Sequence, residues 1–135
     1  VNFDSLEEIV EGNASSKTVA LNSTSLRVAK IEFLSKNDSI TYKFKVRNTG
    51  GVDARLIAIS DVKATCKDDI DWITSPNKKD IKYELMYSNG QNIATGDILK
   101  VDTNMELVLS VEYVGSNDSK ITLSDLELLL IYEQV

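Results

Sequence analysis

Two stretches of the sequence combine residue types that could bind an ion or a ligand. The first places three carboxylates beside the only tryptophan, at Asp68, Asp69, Asp71 and Trp72. Carboxylates gathered in one loop are typical ligands of Ca²⁺, but the spacing of a calcium-binding loop and its distal glutamate are both missing. We therefore interpret these four residues as a candidate ligand patch in a solvated loop, and we assign no metal site to them.

The second stretch is the loop Asn48-Thr49-Gly50-Gly51, whose glycines could bring backbone N–H groups close to a phosphate. The GxGxxG spacing, the Lys-Ser/Thr pair of a P-loop and a following helix pattern are all missing. Glycine at such a place permits a turn or a strand crossing between sheets. We predict that this loop is a strand connection and not a phosphate site.

The residues that nucleophilic or metal-assisted catalysis usually requires are scarce in this sequence. Cys66 is the only cysteine, and the chain has no histidine to serve as its base or as a zinc ligand. Nothing in the sequence selects a pair of carboxylates for acid–base work. We predict a protein that is not an enzyme, with no catalytic residue, no cofactor, no metal and no small-molecule ligand.

Composition and charge narrow the class of partner. The 135 residues are 42% apolar and 27% charged, which is typical of one globular domain, and no apolar run is long enough to span a membrane. The net charge of −6 argues against a nucleic-acid partner. Six bases nevertheless lie between Arg27 and Arg47, and we interpret them as the wet face of two strands, with a weak polyanion or cell-wall contact as the alternative.

From Lys17 onward the apolar residues recur with a period of two. Ile40, Tyr42, Phe44 and Val46 alternate with polar residues, and a similar alternation runs from Met105 to Tyr113. Turn clusters such as Ser88-Asn89-Gly90 separate these runs. The pattern predicts an all-β fold, an antiparallel β-sandwich of Ig-like or jelly-roll-like type. We also expect a β-bulge in the run from Leu26 to Leu34, because its apolar parity changes between Val28 and Ile31.

The first sixteen residues differ from this pattern. They hold four acids and no base, and Leu6, Ile9 and Val10 recur at near-helical spacing. We predict an acidic N-terminal extension or linker over residues 1–16, with a short helix as one form of it, and a single β-sandwich domain over residues 17–135. Because the chain begins at a valine, we expect a processed or truncated product whose targeting segment is gone.

The segment from Ile40 to Leu56 resembles the most recognisable stretch of TasA/camelysin-type proteins of Gram-positive bacteria. In that family a strand ending in a phrase like F-x-V-x-N-T-G leads into a short aliphatic strand, as Phe44 to Gly50 does here. The final strands of the chain are similar too, so the resemblance covers roughly residues 26–59 and 81–135. Residues 1–16 and the connection from Lys67 to Asp80 do not match the family's pattern.

The resemblance implies an extracellular or cell-surface protein of a biofilm matrix, whose partners are copies of itself or related surface proteins. Family members form fibres in which an N-terminal extended segment of one subunit completes a sheet in its neighbour. We expect the equivalent assembly strand in one short segment, formed by Lys17, Thr18, Val19, Ala20 and Leu21. The physical basis is strand addition, in which an unpaired sheet edge accepts a strand through backbone hydrogen bonds.

An alternative from another class is a ligand-binding module, carbohydrate-binding or adhesive, of a larger surface protein. It would need an exposed row of aromatic side chains or a bound calcium ion. Most aromatics lie on the apolar parity of their strands, so we expect them in the core or at its rim, with Trp72 as the exception.

Overall fold

A computed structural model describes residues 1–60, 63–66, 81–115 and 120–135, with the backbone alone described at 63–66. In chain order the strands of the described residues are β1 (Asn2–Glu11), β2 (Ser15–Asn22), β3 (Ser25–Phe33), β4 (Ser39–Arg47), β5 (Ala54–Ile59), β6 (Lys63–Cys66), β7 (Ile81–Tyr87), β8 (Ile98–Leu99), β9 (Asn104–Tyr113) and β10 (Ile121–Gln134). They form two antiparallel sheets that pack face to face. The predicted all-β sandwich is confirmed.

The two sheets differ in size. The four-stranded sheet has the order β1-β4-β9-β7, and the six-stranded sheet has the order β2-β3-β10-β5-β8, with β6 paired to β10. Strand β10 is long enough to pair with β3 along one side, and with β6 and then β5 along the other. Consecutive strands β1 and β2 therefore lie in different sheets, and each forms one edge of its sheet.

The core lies between the sheets and is built by the predicted alternation. Along β4 and β9 every second side chain is fully buried, including Tyr42, Phe44, Leu107 and Leu109, except that Met105 at the start of β9 is half-buried. The matching strand of the opposite sheet is β10, where Leu126, Leu128 and Leu130 are buried on one parity. All eight aromatic side chains of the described residues are buried or half-buried, so the prediction that they form the core and its rim is confirmed for these eight.

The predicted bulge in β3 is wrong, although the parity change is real. Leu26 and Val28 face the core on one parity and Ile31 and Phe33 on the other, yet β3 keeps unbroken register with both β2 and β10. The neighbouring strands β2 and β10 change parity at the same level of the sheet, where Thr18 and Asp125 have φ of 55° and 56°. No strand gains a residue over its neighbours, so the parity changes without a bulge.

The short helix considered for Leu6 to Val10 is also wrong. Residues 2–11 form strand β1, which pairs antiparallel with β4 from Asn2 opposite Arg47 to Glu11 opposite Ser39. The three apolar residues do not share one face of β1, because Leu6 packs against the core while Ile9 lies opposite Thr41 on the outer face. A sheet edge that offers backbone partners outweighs the weak helix tendency of five residues.

Candidate assembly site at the N-terminal edge strands

The predicted assembly segment, Lys17 to Leu21, lies in the middle of β2. It pairs with β3 on one side, with Lys17 opposite Lys30 and Val19 opposite Val28, and its other side is the edge of the six-stranded sheet. The segment is therefore already part of its own sheet in the single chain. An exchange with a second copy would have to detach it from β3 first.

Strand β1 forms the corresponding edge of the four-stranded sheet and contributes little to the core. Phe3 is its one fully buried side chain, 6% exposed, and its ring packs against Phe44 with the ring centroids 4.8 Å apart. Asp4, Leu6 and Ile9 are half-buried, and the other side chains of β1 are exposed. In β2 only Ser16, Val19 and Leu21 are half-buried, and the rest are exposed. Both strands are held mainly by backbone pairing.

The outer face of the four-stranded sheet brings the acidic and basic segments of the sequence together. Asp4 lies directly opposite Lys45, and Glu7 lies opposite Lys43. The Arg47 guanidinium donates a hydrogen bond to Asp4, with Nε 2.8 Å from Oδ2. This hydrogen bond lowers the pKa of the Asp4 carboxyl against the opposing cost of desolvation. The prediction that the basic residues of β4 lie on a solvent-facing strand face is confirmed, since all three side chains are partly exposed on this outer face.

An irregularity in β1 is what places both acids on the same face. Residues 4 and 7 of a regular strand point to opposite faces, because side chains alternate with a period of two. The register of β1 on β4 shifts between Asp4 and Glu7, and Ser5 adopts a φ of 59° at that point. The inserted residue turns Glu7 to the outer face, above Lys43. The bulge thus brings both acids onto the face that carries the bases of β4.

On the core side, β1 and β2 face each other across the open side of the sandwich. The Ser16 hydroxyl donates to Oε2 of Glu8 at 2.6 Å and links the two edge strands. Beneath this contact lies Tyr42, whose hydroxyl is buried near Ser16 and makes no hydrogen bond of good geometry among the described residues. Burial raises the pKa of Tyr42 to about 12, with the Glu8 charge adding to the effect and Ser16 opposing it.

The turn between β1 and β2 is fastened by a buried carboxylate from another loop. Asp38, 2% exposed, accepts backbone N–H donors from Asn13, Leu34 and Ser35 at 2.9–3.0 Å, and the Ser35 hydroxyl at 3.1 Å. Burial by itself would raise the pKa of this carboxyl, but the hydrogen bonds outweigh burial and lower it. Gly12 has a φ of 76°, and a Cβ there would overlap Oδ1 of Asp38, so the close approach requires glycine.

The Asn48-Thr49-Gly50-Gly51 loop joins β4 to the strand that follows it, β5, in the other sheet, as predicted. The side-chain amide of the buried Asn48 donates to the carbonyl oxygens of Val52 and Leu99, and its oxygen accepts the N–H of Gly50. The polar groups of Asn48 are used within the protein. Beside the loop lies a cleft of about 270 Å³, which Asn48 and Glu133 help to line.

The remaining predicted positions are those of the candidate ligand patch. Asp68, Asp69, Asp71 and Trp72 lie outside the described residues, so the predicted ligand patch stays a prediction. In the part of the chain that the structure describes, no group of three or more His, Cys, Asp or Glu side chains could hold a metal ion. The described segments also include no helix with the length and hydrophobicity needed to cross a membrane.

Fold and edge strands together define the class of protein: an all-β sandwich that begins with one edge strand in each sheet. Comparison of the chain with family models, with curated proteins and with solved structures finds no match. Sequence reasoning missed the place of β1. A signal for it was present, because the acids of residues 1–16 complement the bases between Arg27 and Arg47.

Proposed function

We propose that the chain is a non-catalytic, exported structural protein of the cell surface or extracellular matrix, which assembles with copies of itself or with related surface proteins by exchanging an N-terminal strand. One observation carries the proposal: β1 and β2 are edge strands that together bury a single side chain fully, Phe3. Removal of these two strands would expose the backbone edges of β4 and β3 while leaving most of the core intact. The family resemblance between Ile40 and Leu56 supports the location at the surface.

Strand exchange has a low thermodynamic cost because the same contacts are broken in one copy and remade in another. An edge strand suits such exchange better than a central strand does, since only one side of its backbone must be released. Both β1 and the Lys17–Leu21 segment of β2 meet this condition. If each copy donates a strand to the next in the same direction, the contact does not close on itself and a fibre results.

Two engineered disulfides test the proposal and distinguish exchange of β1 from exchange of β2. Ile9 lies opposite Thr41 across β1 and β4, and Lys17 lies opposite Lys30 across β2 and β3, so each position pair can be replaced by cysteines at a distance that a disulfide spans. The single native cysteine, Cys66, is replaced by serine in both variants. Light scattering is measured on each variant after oxidation as a monomer and after reduction.

We expect the reduced proteins to form dimers and larger species with time and concentration, and one of the two oxidised proteins to stay monomeric. The reduced form of the same variant is the control for the substitutions themselves. Strictly monomeric behaviour of both reduced variants and of the unmodified chain would refute the proposed function. Assembly of both oxidised variants at the reduced rate would refute exchange of either strand.

A ligand-binding module is the second candidate, and the cleft of about 270 Å³ beside Asn48 is the observation that favours it. The lining combines residues of the β4–β5 loop with the C-terminal half of β10, including Tyr132 and Glu133. A glycan array is the direct test. Saturable binding that a Glu133→Gln substitution weakens would favour this candidate over assembly.

A further inference from the structure

We infer that the strand that exchanges is β1, and that β4 selects it by charge: the acceptor edge of one copy fits an N-terminal strand of a second copy that carries an aromatic anchor followed by two acids on one face. The inference rests on the proposed function and names its partner surface. The elements are Phe3 over Phe44, Asp4 opposite Lys45, and Glu7 opposite Lys43.

On its side away from β1, strand β4 pairs with β9, and β9 places few acids opposite the basic residues of β4. Lys43 lies opposite Val108 and Arg47 lies opposite Asn104. Only Lys45 lies opposite an acid, Glu106. A strand added at the β1 side therefore meets a row of positive charge that β9 neutralises only in part. Cross-strand pairs of opposite charge favour one partner and one register, and like charges placed opposite each other disfavour the pairing.

Because of the bulge at Ser5, the acceptor edge of β4 recognises the backbone register of the added strand as well as its net charge. A regular strand with the same two acids would direct one of them into the sandwich or would shift the register. Only a strand that inserts a residue between Asp4 and Glu7 can place both acids over the two lysines while keeping Phe3 in the core. The acceptor therefore distinguishes β1 from β2, which carries Lys17 in place of an acid and pairs with β3.

The anchored turn explains where β1 would separate from the rest of the chain. Asp38 holds the backbone of Asn13 on the body of the protein, and Gly12 next to it has the left-handed conformation of a hinge residue. Residues 1–11 can leave β4 while the turn and β2 stay in place. The exchanging unit is then β1 alone, joined to its own copy through Gly12.

The surface charge pairs are exposed enough that they contribute modestly to affinity. The Asp4 and Arg47 side chains are 41% and 39% exposed, and pairs of this kind are screened by salt. Their main effect is to choose the partner strand and its register. The selection should therefore be clear at low ionic strength and weak in 1 M salt.

A mixing experiment with full-length chains tests this. One variant carries Asp4→Lys and Glu7→Lys, and a second carries Lys43→Glu, Lys45→Glu and Arg47→Glu, so each variant places like charges next to each other within its own chain. A third variant carries all five substitutions and restores opposite charges. It is the control for tolerance of the five changes. Native mass spectrometry counts homo-oligomers and hetero-oligomers after the variants are mixed.

We expect the first two variants to form hetero-oligomers with each other about tenfold more than homo-oligomers at low salt, and the five-substitution variant to behave like the unmodified chain. The preference should fall towards unity in 1 M salt. Hetero-oligomers that do not exceed the statistical proportion at low salt would overturn the inference, even if the unmodified chain assembles. A clear hetero-oligomer preference with an unmodified chain that stays monomeric would instead sustain the charge selection and refute native self-assembly.

Discussion

The central strands and the N-terminal edge strands follow the same β pattern but are held in place by different forces. In β4, β9 and β10 alternate side chains are fully buried, so apolar burial fixes their position. In β1 and β2 the fully buried set is Phe3 alone. Backbone pairing, charge pairs and the Asp38 junction hold these two strands. The protein thus combines a densely packed body with edge strands that bury few side chains.

The largest effect should come from the same substitution made in both regions. Leu128→Ala in β10 removes a side chain with 0% exposure and should lower the free energy of unfolding by about 3–4 kcal/mol. Leu21→Ala in β2 removes a half-buried side chain and should cost about 1 kcal/mol. Urea denaturation followed by circular dichroism measures both values. Equal losses would contradict the difference between the regions.

The next effect concerns the junction that holds the turn between the edge strands. Asp38→Ala leaves three backbone N–H donors without their acceptor and should cost about 2–4 kcal/mol. Gly12→Ala should also destabilise the protein, because its Cβ would overlap Oδ1 of Asp38 and the residue has a φ of 76°. Chemical denaturation at pH 7 measures both. A loss below about 0.5 kcal/mol in Asp38→Ala would show that this junction does not hold the turn.

The same carboxyl gives a pH dependence whose sign is determined by its lowered pKa. The pKa of Asp38 in the folded protein lies below its unfolded value of 3.8, so on acidification the unfolded state binds the proton first. The contribution of Asp38 to stability is complete above about pH 5 and is lost as the pH falls below about 4 towards the folded-state pKa. Unfolding free energies measured from pH 6 to pH 2.5 should show a smaller acid loss in Asp38→Asn than in the unmodified chain. An unchanged slope would contradict this.

A smaller and opposite effect is expected at the bulge of β1. Ser5 has a φ of 59°, which costs a residue with a side chain about 1 kcal/mol and costs glycine much less. Ser5→Gly should therefore stabilise the docked state of β1 by up to about 1 kcal/mol, partly offset by the greater freedom of glycine in the unfolded chain. Hydrogen exchange of the β1 amides measures it. Faster exchange in Ser5→Gly would show that the bulge is not strained.

The smallest effect should appear beneath the open side of the sandwich. The buried Tyr42 hydroxyl makes no hydrogen bond of good geometry among the described residues, and the nearby Ser16 hydroxyl donates to Glu8, so Tyr42→Phe removes a poorly satisfied polar group. The free energy of unfolding should change by less than about 0.5 kcal/mol, or rise. A loss of 1 kcal/mol or more in thermal denaturation would show that the hydroxyl is hydrogen-bonded after all.

Sequence periodicity predicted the central strands because burial imposes it there. The alternation from Ile40 to Val46 returns in β4 with each of these apolar side chains buried. The same logic failed for β1, where the register shifts at Ser5 and Ile9 lies on the outer face opposite Thr41, so the apolar residues of this strand do not alternate. The spacing of residues within β1 cannot predict this bulge, because it is defined by the pairing of β1 with the basic strand β4.

The role of Asp38 could not be predicted for a related reason. In the sequence it is one acid in the polar loop between two strands, with nothing to distinguish it from a solvated aspartate. Its burial follows from the meeting of two loops distant in sequence, one of which contributes Asn13. Only the complementary charges of residues 1–16 and of the segment from Arg27 to Arg47 pointed to the pairing of β1 with β4 before the fold was known.

Exchange of β1 between copies can be tested directly by trapping it. Isotopically heavy and light chains carrying Ile9→Cys, Thr41→Cys and Cys66→Ser are mixed while reduced, allowed to assemble and then oxidised. Because Ile9 and Thr41 lie opposite each other, the disulfide reports which copy supplies β1 to each β4. The account predicts disulfide-linked heavy–light pairs in the assembled fraction by mass spectrometry. Assemblies in which every disulfide lies within one chain would contradict it.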